Sequence, residues 1–316
     1  MNGAEARDAI AQILEAVHTA VVGRDDALRQ ILTGIVADGH LLLEDMPGLG
    51  KTLMAKSFAA ALGLGFHRVQ FTADLLPHDI IGGELYDAAS QTFTFRKGPV
   101  FTNLLLADEI NRAPPKVQSA LLEAMQEHQV TSERSTYPLE RPFLVLATQN
   151  PIELEGTYPL PEAQVDRFLM RLTVGYPTAA EEQQILARRR ERKTDEVAVA
   201  PVMNAERFVA LQRSAEDVEV DPALQRYIVE VVGQTRTDAR VEVGASPRGA
   251  LALLKLGRAR ALIEGRDYVV PDDVKSLAVP ALAHRILIKP EPWIRGIRGG
   301  QIVDAALDRV PVPKVP

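Results

Sequence analysis

The chain has 316 residues, 46% of them hydrophobic and 25% charged, which is ample apolar material for one large domain or two of ordinary size. It has no cysteine, which excludes disulfides, thiolate catalysis and cysteine-held zinc or iron–sulfur centres, and its six histidines are scattered with no helical ligand pair among them. A formal net charge of −6 argues against a dedicated nucleic-acid binder, and no apolar run approaches the ~18 residues that a membrane span needs.

In chain order, the opening MNGAEARDAI lacks a basic start followed by an apolar stretch, so no signal peptide is expected and the protein reads as cytoplasmic. The first stretch that carries chemistry is LLLEDMPGLGKT (41–52). Its apolar start predicts a strand, and Gly48 and Gly50 predict a loop. Met54, Phe58, Ala61 and Leu62 then fall on one face of a helix. Strand, glycine loop and helix in that order are the setting of a phosphate-binding loop. Successive backbone N–H groups point into one concavity at the positive end of the helix, and glycines allow the close wrap. Asp45, Met46, Pro47, Gly48, Leu49, Gly50, Lys51, Thr52 and Leu53 are therefore candidate nucleotide binders, with Lys51 as a cation for the β- and γ-phosphates and Thr52 as a hydroxyl for Mg²⁺. The general pattern asks for glycine where Asp45 stands. Either the Asp45 side chain points outward and the loop works, which is the expectation, or it points inward and phosphate binds poorly.

FHRVQF (66–71) alternates as a strand does, and NLLLADE (103–109) is a buried strand that ends in two acids, where parallel sheets hold their ligands. Asp108 suits Mg²⁺ through water, and Glu109 suits an attacking water. Neighbouring side chains on a strand face opposite ways, so their tasks differ unless the backbone turns between them. Pro114 and Pro115 open a helix with Val117, Ala120, Leu121, Ala124 and Met125 on one face. FLVLATQN (143–150) is a third buried strand, and the amide of Asn150 at its end could orient water between Glu109 and a γ-phosphate. Strands separated by helices predict an α/β fold with a mainly parallel sheet covered on both faces. In PEAQVDRFLMRL (161–172), Arg167 and Arg171 are four apart and read as one helical face.

Beyond Tyr176-Pro177 strand-like runs nearly vanish. EEQQILARRRERK (181–193) reads as a charged helix entering a connector. Helices are expected over 204–214, 221–235, 247–264 and 271–284, with Ser246 as an N-cap and Gly265 as a stop. The second unit is thus small and all-α, and the tail RVPVPKVP is expected to be extended. Arg248 falls in the first turn of a helix, where a cation opposes the helix dipole; a ligand anion there would account for it.

Together these stretches resemble AAA+ ATPases, and more narrowly the MoxR family, from VVGRDDA (21–27) through the glycine loop, FTADLLPHDIIGGELY, FRKGPVFTNLLLADEINRAPPKVQSALLEAMQEHQVT and LATQNPIELEGTYPLPEAQVDRFLMRL to GASPRGALALLKLGRARALIEGRDYVVPDDV. The resemblance implies a P-loop NTPase core over 1–176, a connector over 177–200 and a helical lid over 201–316. It implies that Val22 and Gly23 cradle adenine, that Lys51 and Thr52 are the Walker A pair and Asp108 and Glu109 the Walker B pair, and that Asn150 is sensor 1 and Arg248 sensor 2. Arg167, with Arg171 as runner-up, is the implied arginine finger for a neighbouring subunit. Segment 75–97 resembles the helix-2 insert and 128–142 the hairpin before sensor 1, both facing the pore in similar rings. Many sequences of the family resemble this one in carrying Glu-Asp at the Glu44–Asp45 position. ATP and Mg²⁺, a homo-oligomeric ring that is a hexamer, a partner with a von Willebrand A domain, a protein client and chaperone-like remodelling are the further implications. Three other readings stay open: a DNA-acting motor, for which the basic run Arg188 to Lys193 speaks, a magnesium-chelatase motor subunit, and a non-hydrolysing ATP switch.

Overall fold

The computed structural model describes residues 1, 3–88, 91–132, 135–151 and 156–314. Two helices come first, α1 (Gly3–Ala20) and α2 (Asp25–Val36). Each buries one stripe: Ile10, Ile13 and Val17 on α1, and Leu28, Ile31, Leu32 and Ile35 on α2. β1 (Leu41–Glu44) runs through the glycine loop into α3 (Lys51–Ala61), and β2 (Phe66–Gln70) follows. A short helix, α4 (Pro77–Ile81), and an antiparallel ribbon of β3 (Gly82–Asp87) and β4 (Thr92–Lys97) precede β5 (Leu104–Asp108). Next come α5 (Pro115–Glu127) and a second ribbon, β6 (Gln129–Thr131) with β7 (Thr136–Pro138). β8 (Leu144–Gln149), the one-turn helix α6 (Glu162–Val165) and β9 (Met170–Leu172) complete this part. The two ribbons fall within 75–97 and 128–142; positions 89–90 and 133–134 of those segments lie outside the described residues, as do 152–155 and the end of the tail at 315–316.

The strands lie in the order β2-β5-β8-β1-β9 and every pairing is parallel. Side chains alternate across the sheet. Leu41, Leu43, Leu104, Leu106, Leu144 and Leu146 enter the apolar core shared with α1, α2 and α3, while Leu42, Leu105, Ala107, Val145 and Ala147 face the core built on α5. This is the doubly covered parallel sheet that the spacing of apolar runs predicts. It also sets every strand's carboxyl end on one edge.

One expectation fails here. α6 ends at Val165, so Arg167 and Arg171 do not share a helical face. Phe168, Met170 and Leu172 are buried while Leu169 and Arg171 are only partly so, a two-residue repeat that makes a strand. Pairing of this strand with β1 extends the sheet, which outweighs the helical spacing of the two arginines. Arg167 therefore sits in a turn and Arg171 in β9.

The remainder is helical apart from one small ladder: α7 (Ala179–Arg192), α8 (Ala205–Glu216), α9 (Pro222–Thr237), β10 (Val241–Val243), α10 (Pro247–Ile263), α11 (Pro271–Leu282), β11 (Leu287–Ile288), α12 (Pro290–Ile294) and α13 (Gly299–Arg309). Thr178, Asn204, Asp221 and Ser246 cap α7, α8, α9 and α10 by accepting a first-turn N–H. β10 and β11 pair antiparallel, and they are too short to leave a periodic signal in the sequence. α10 packs on α8, α9 and α11 and also on α1 and α2, so Leu253 and Leu256 share an apolar core with Ile13 and Leu32. Among the described residues no helix is long and apolar enough to cross a membrane.

His40, just before β1, is buried among these layers. Its Nδ1 accepts the Val145 N–H at 3.0 Å and its Nε2 faces the Met125 carbonyl at 3.0 Å, which selects the neutral ring with its proton on Nε2. Burial pushes its pKa down to about 4, and burial likewise lowers that of His284 to about 3. Both lie below the ordinary histidine value, so the unfolded chain binds more protons and stability falls as pH drops below about 6.5. Melting temperature should decline from pH 7 to pH 5.5, and His40→Gln should lower stability at pH 8 while flattening that decline. A decline as steep in the variant as in the parent contradicts this.

Candidate functional site

The glycine loop is shaped by two residues. Gly48 and Gly50 both have φ of +82°, the left-handed region that strains other residues. A Cβ on Gly48 would meet nothing within 4 Å, so conformation rather than space demands glycine there. Gly50 is the residue from which α3 starts, and Lys51 is its first turn. The Lys51 ammonium folds back into the loop and donates to the carbonyls of Asp45 (2.6 Å) and Met46 (2.8 Å). Burial lowers its pKa, and the charges of Asp45, Asp108 and Glu109 oppose that effect. Asp45 itself turns its carboxylate away from the loop interior, onto the N–H groups of Val174 and Gly175. This is the outward orientation anticipated from the sequence.

β5 presents the two acids. Glu109 has φ of +56°, so the backbone does turn after Asp108, and both carboxylates reach one cavity. Thr148, buried on β8, ties them together: its hydroxyl donates to Asp108 Oδ1 at 2.5 Å and accepts the Glu109 N–H at 2.8 Å. The end of β2 supplies two more partners. Arg68 donates to Asp108 Oδ2 through Nε (3.1 Å) and Nη2 (2.7 Å), and Gln70 donates to Glu109 Oε2 at 2.7 Å. Arg112 Nη1 reaches the same Glu109 oxygen at 2.9 Å. Asn150, which follows β8, is buried at the cavity wall.

These groups surround a cavity of about 430 Å³ walled by Pro47–Leu53, the two acids, Arg68, Gln70 and 148–150. A cleft of about 330 Å³ shares Gly48, Leu49, Gly50 and Leu53 with it and is closed by Val22, Arg24, Pro177 and, from α7, Ile185, Arg188, Arg189 and Arg192. Together the two spaces are large enough for a nucleotide. Hydroxyl and carboxylate oxygens at Thr52 and Asp108 are the hard donors that Mg²⁺ takes. Gly23, Asp45 and Met46, candidate binders by sequence, line neither space among the described residues. Gly23 instead has φ of +62° and lies so close to Glu181 that a Cβ would fall 1.7 Å from its Oε1.

The arginines occupy a different place. Arg167 and Arg248 line a third cavity, of about 270 Å³, that shares no residue with the phosphate cavity. Arg248 Nη1 is 3.7 Å from Asp166 Oδ2, so the chain's own carboxylate stands beside that helix start. Arg285 is buried under the same turn and donates to the Asp166 carboxylate, to the Asp166 carbonyl (2.7 Å) and to the Phe168 carbonyl (2.7 Å). Arg171 pairs with Glu44 at 3.2 Å, whereas the Arg167 guanidinium makes no hydrogen bond or ion pair among the described residues. Sequence reasoning missed Arg68, Gln70 and Thr148. The period-two placement of Arg68 and Gln70 on one strand, and of Thr148 two before Asn150, was the available signal.

A glycine loop beneath paired strand-end acids, with a second cleft alongside, defines a P-loop nucleoside triphosphatase. Residues 40–170 match the model of the ATPase family associated with various cellular activities, and 233–306 match the AAA lid domain. The chain is 46% identical to the protein YeaC of Bacillus subtilis, with 96% of this chain and 95% of that one covered. It is 42% identical to Chaperone MoxR1 of Mycobacterium tuberculosis, over 99% of this chain and 86% of that one. A crystal structure from Cytophaga hutchinsonii superposes with a TM-score of 0.92 at 42% identity, covering 99% of this chain and 97% of that one. The chain belongs to the MoxR family of AAA+ ATPases.

Thr148→Val keeps the side chain's shape and removes the bridge between Asp108 and Glu109. It should cost about 1–2 kcal/mol of stability through the N–H left without its acceptor. ATP turnover should fall at least ~10-fold, because Asp108 and Glu109 lose the hydroxyl that fixes them against each other, while ATP affinity stays near the parent's. A variant that hydrolyses ATP at the parental rate contradicts the bridging role.

Proposed function

We propose that this protein is an ATP-driven homo-oligomeric ring, a hexamer, that acts in the cytoplasm as a chaperone-like remodelling or maturation machine for protein complexes. A partner with a von Willebrand A domain belongs to that reading, as does a division into a nucleotide-binding core over 1–176 and a lid over 201–316. In each subunit the loop amides from Gly48 to Thr52 and the Lys51 ammonium bind the phosphates. Val22 and the α7 face hold the base. Thr52 and Asp108 would hold Mg²⁺, which when bound neutralises charge on the β- and γ-phosphate oxygens. Glu109 polarises the attacking water and Asn150 orients it.

The observation that carries the ring is the position of Arg167. Its guanidinium has no partner among the described residues, it lies beside Arg248, and its cavity is separate from the chain's own phosphate cavity. Two arginines so placed suit the triphosphate of an adjoining subunit, with Arg167 as the finger and Arg248 beside it. Arg171 is spent on Glu44. The chaperone-like role rests on the name of the MoxR1 relative. The DNA-motor reading loses its main support: Arg188, Arg189 and Arg192 line the base cleft, Arg188 donates to the His18 carbonyl, and Arg189 pairs with Asp195. A non-hydrolysing switch fits poorly with two acids and Asn150 on one cavity.

Complementation tests the reading directly. Arg167→Ala and Glu109→Gln should each bind ATP yet turn over ~10³-fold more slowly than the parent. When the two are mixed, activity should return, because an intact Glu109 on one subunit meets an intact Arg167 on its neighbour. Parental turnover by Arg167→Ala, or no recovery in a mixture of rings shown to have exchanged subunits, contradicts an arginine acting between subunits.

A further inference from the structure

We propose that Asp45 is a positioning residue, an anchor that fixes the base cleft against the phosphate loop; the inference rests on the nucleotide reading of that cleft. Asp45 stands where the general loop pattern has glycine, yet the residue is only 7% exposed and its carboxylate is engaged by both oxygens. Oδ1 accepts the Met46 N–H at 2.8 Å. Oδ2 accepts the N–H groups of Val174 (2.7 Å) and Gly175 (2.6 Å). The carbonyls of those same two residues accept from Arg24 Nη1, at 2.9 Å for Val174 and at close range for Gly175. Residues 174 and 175 are thus gripped from two sides, their N–H groups by an acid on the phosphate loop and their carbonyls by an arginine beside Val22 and Gly23.

The grip continues into α7. The Arg24 N–H donates to Glu181 Oε1 at 3.3 Å, and Glu181 Oε2 accepts from the Thr178 N–H (2.7 Å) and hydroxyl (3.0 Å), closing the cap of α7. Gly23 must be glycine to let Glu181 approach. α7 then carries Ile185, Arg188 and Arg189 to the cleft wall. One turn therefore joins three parts: the loop through Asp45, the base segment through Arg24, and the helical wall through Glu181. Glycine at position 45 would satisfy the general loop pattern while leaving the Val174 and Gly175 N–H groups without their acceptor. The phosphate-facing surface, made by other residues, would be untouched.

Binding of MgATP, MgADP and magnesium tripolyphosphate to the full chain separates anchoring from a general loss of loop structure. Asp45→Gly and Arg24→Ala should each raise the Kd for ATP and for ADP by ~10-fold or more, as misplacement at a distance does, and leave that for tripolyphosphate near the parent's. The double variant should be little worse than the worse single one, since both act on one turn. Arg24 also lines the cleft, so the double variant is what separates anchoring from a lost direct contact, and Asp45→Asn, which keeps the size and one oxygen acceptor, takes the place of Asp45→Gly should that variant not fold. Parental ATP affinity in Arg24→Ala, or a parallel loss of tripolyphosphate binding in both variants, overturns the anchor. A parent that binds none of the three ligands overturns the nucleotide reading itself.

Discussion

Parallel pairing of β8 with β1 on one side and β5 on the other is the interaction on which each functional contact depends. Leu41 to Glu44 run beside Leu146 to Gln149, and Leu104 to Ala107 beside Leu144 to Ala147. That alignment ends three strands on one edge, where the glycine loop, the two acids and Asn150 converge. It also places Thr148 within reach of Asp108 and of the Glu109 N–H. A slip of one residue would send Thr148 to the opposite face and undo the bridge.

The charges at this edge are held by directed hydrogen bonds rather than by proximity alone. Lys51 rests on two loop carbonyls, Asp108 on Thr148 and Arg68, and Glu109 on Gln70 and Arg112. Two further arginines grip the chain on either side of β9. Arg285, from the lid, holds the turn at Asp166–Phe168 that carries Arg167, and Arg24, from the base segment, holds Val174 and Gly175. The edge strand is thereby fastened at one end to the lid and at the other to the segment beside the cleft. Lid position and the setting of Arg167 are linked through a buried guanidinium, a contact that cannot be loosened cheaply.

Much of this was legible in the sequence, and the reasons are physical. Unbroken apolar runs such as Leu104–Ala107 mark strands buried on both faces, and Gly48 and Gly50 mark a backbone that needs positive φ, so the loop and the sheet could be read directly. The acids could be placed because they end such a run. The turn after Asp108 could not, since a left-handed Glu109 leaves no mark in residue type. The stretch from Phe168 to Leu172 misled because arginines four apart suggest a helix, while the buried residues between them repeat every two. The partners of Asp45, Asp166 and Asp108 come from residues 129, 119 and 40 positions away. Contacts at such separation are products of the fold, and a single sequence carries no trace of them.

The central claim is that adenine nucleotide binds across the loop and cleft and is held by the Lys51 ammonium. Titration of MgATP into the purified chain, watched by heat release, tests it most directly. Saturable binding at one site per subunit, abolished by Lys51→Ala in a protein that still melts cooperatively, is the result expected. No binding by the folded parent, or equal binding by the two, would contradict the account.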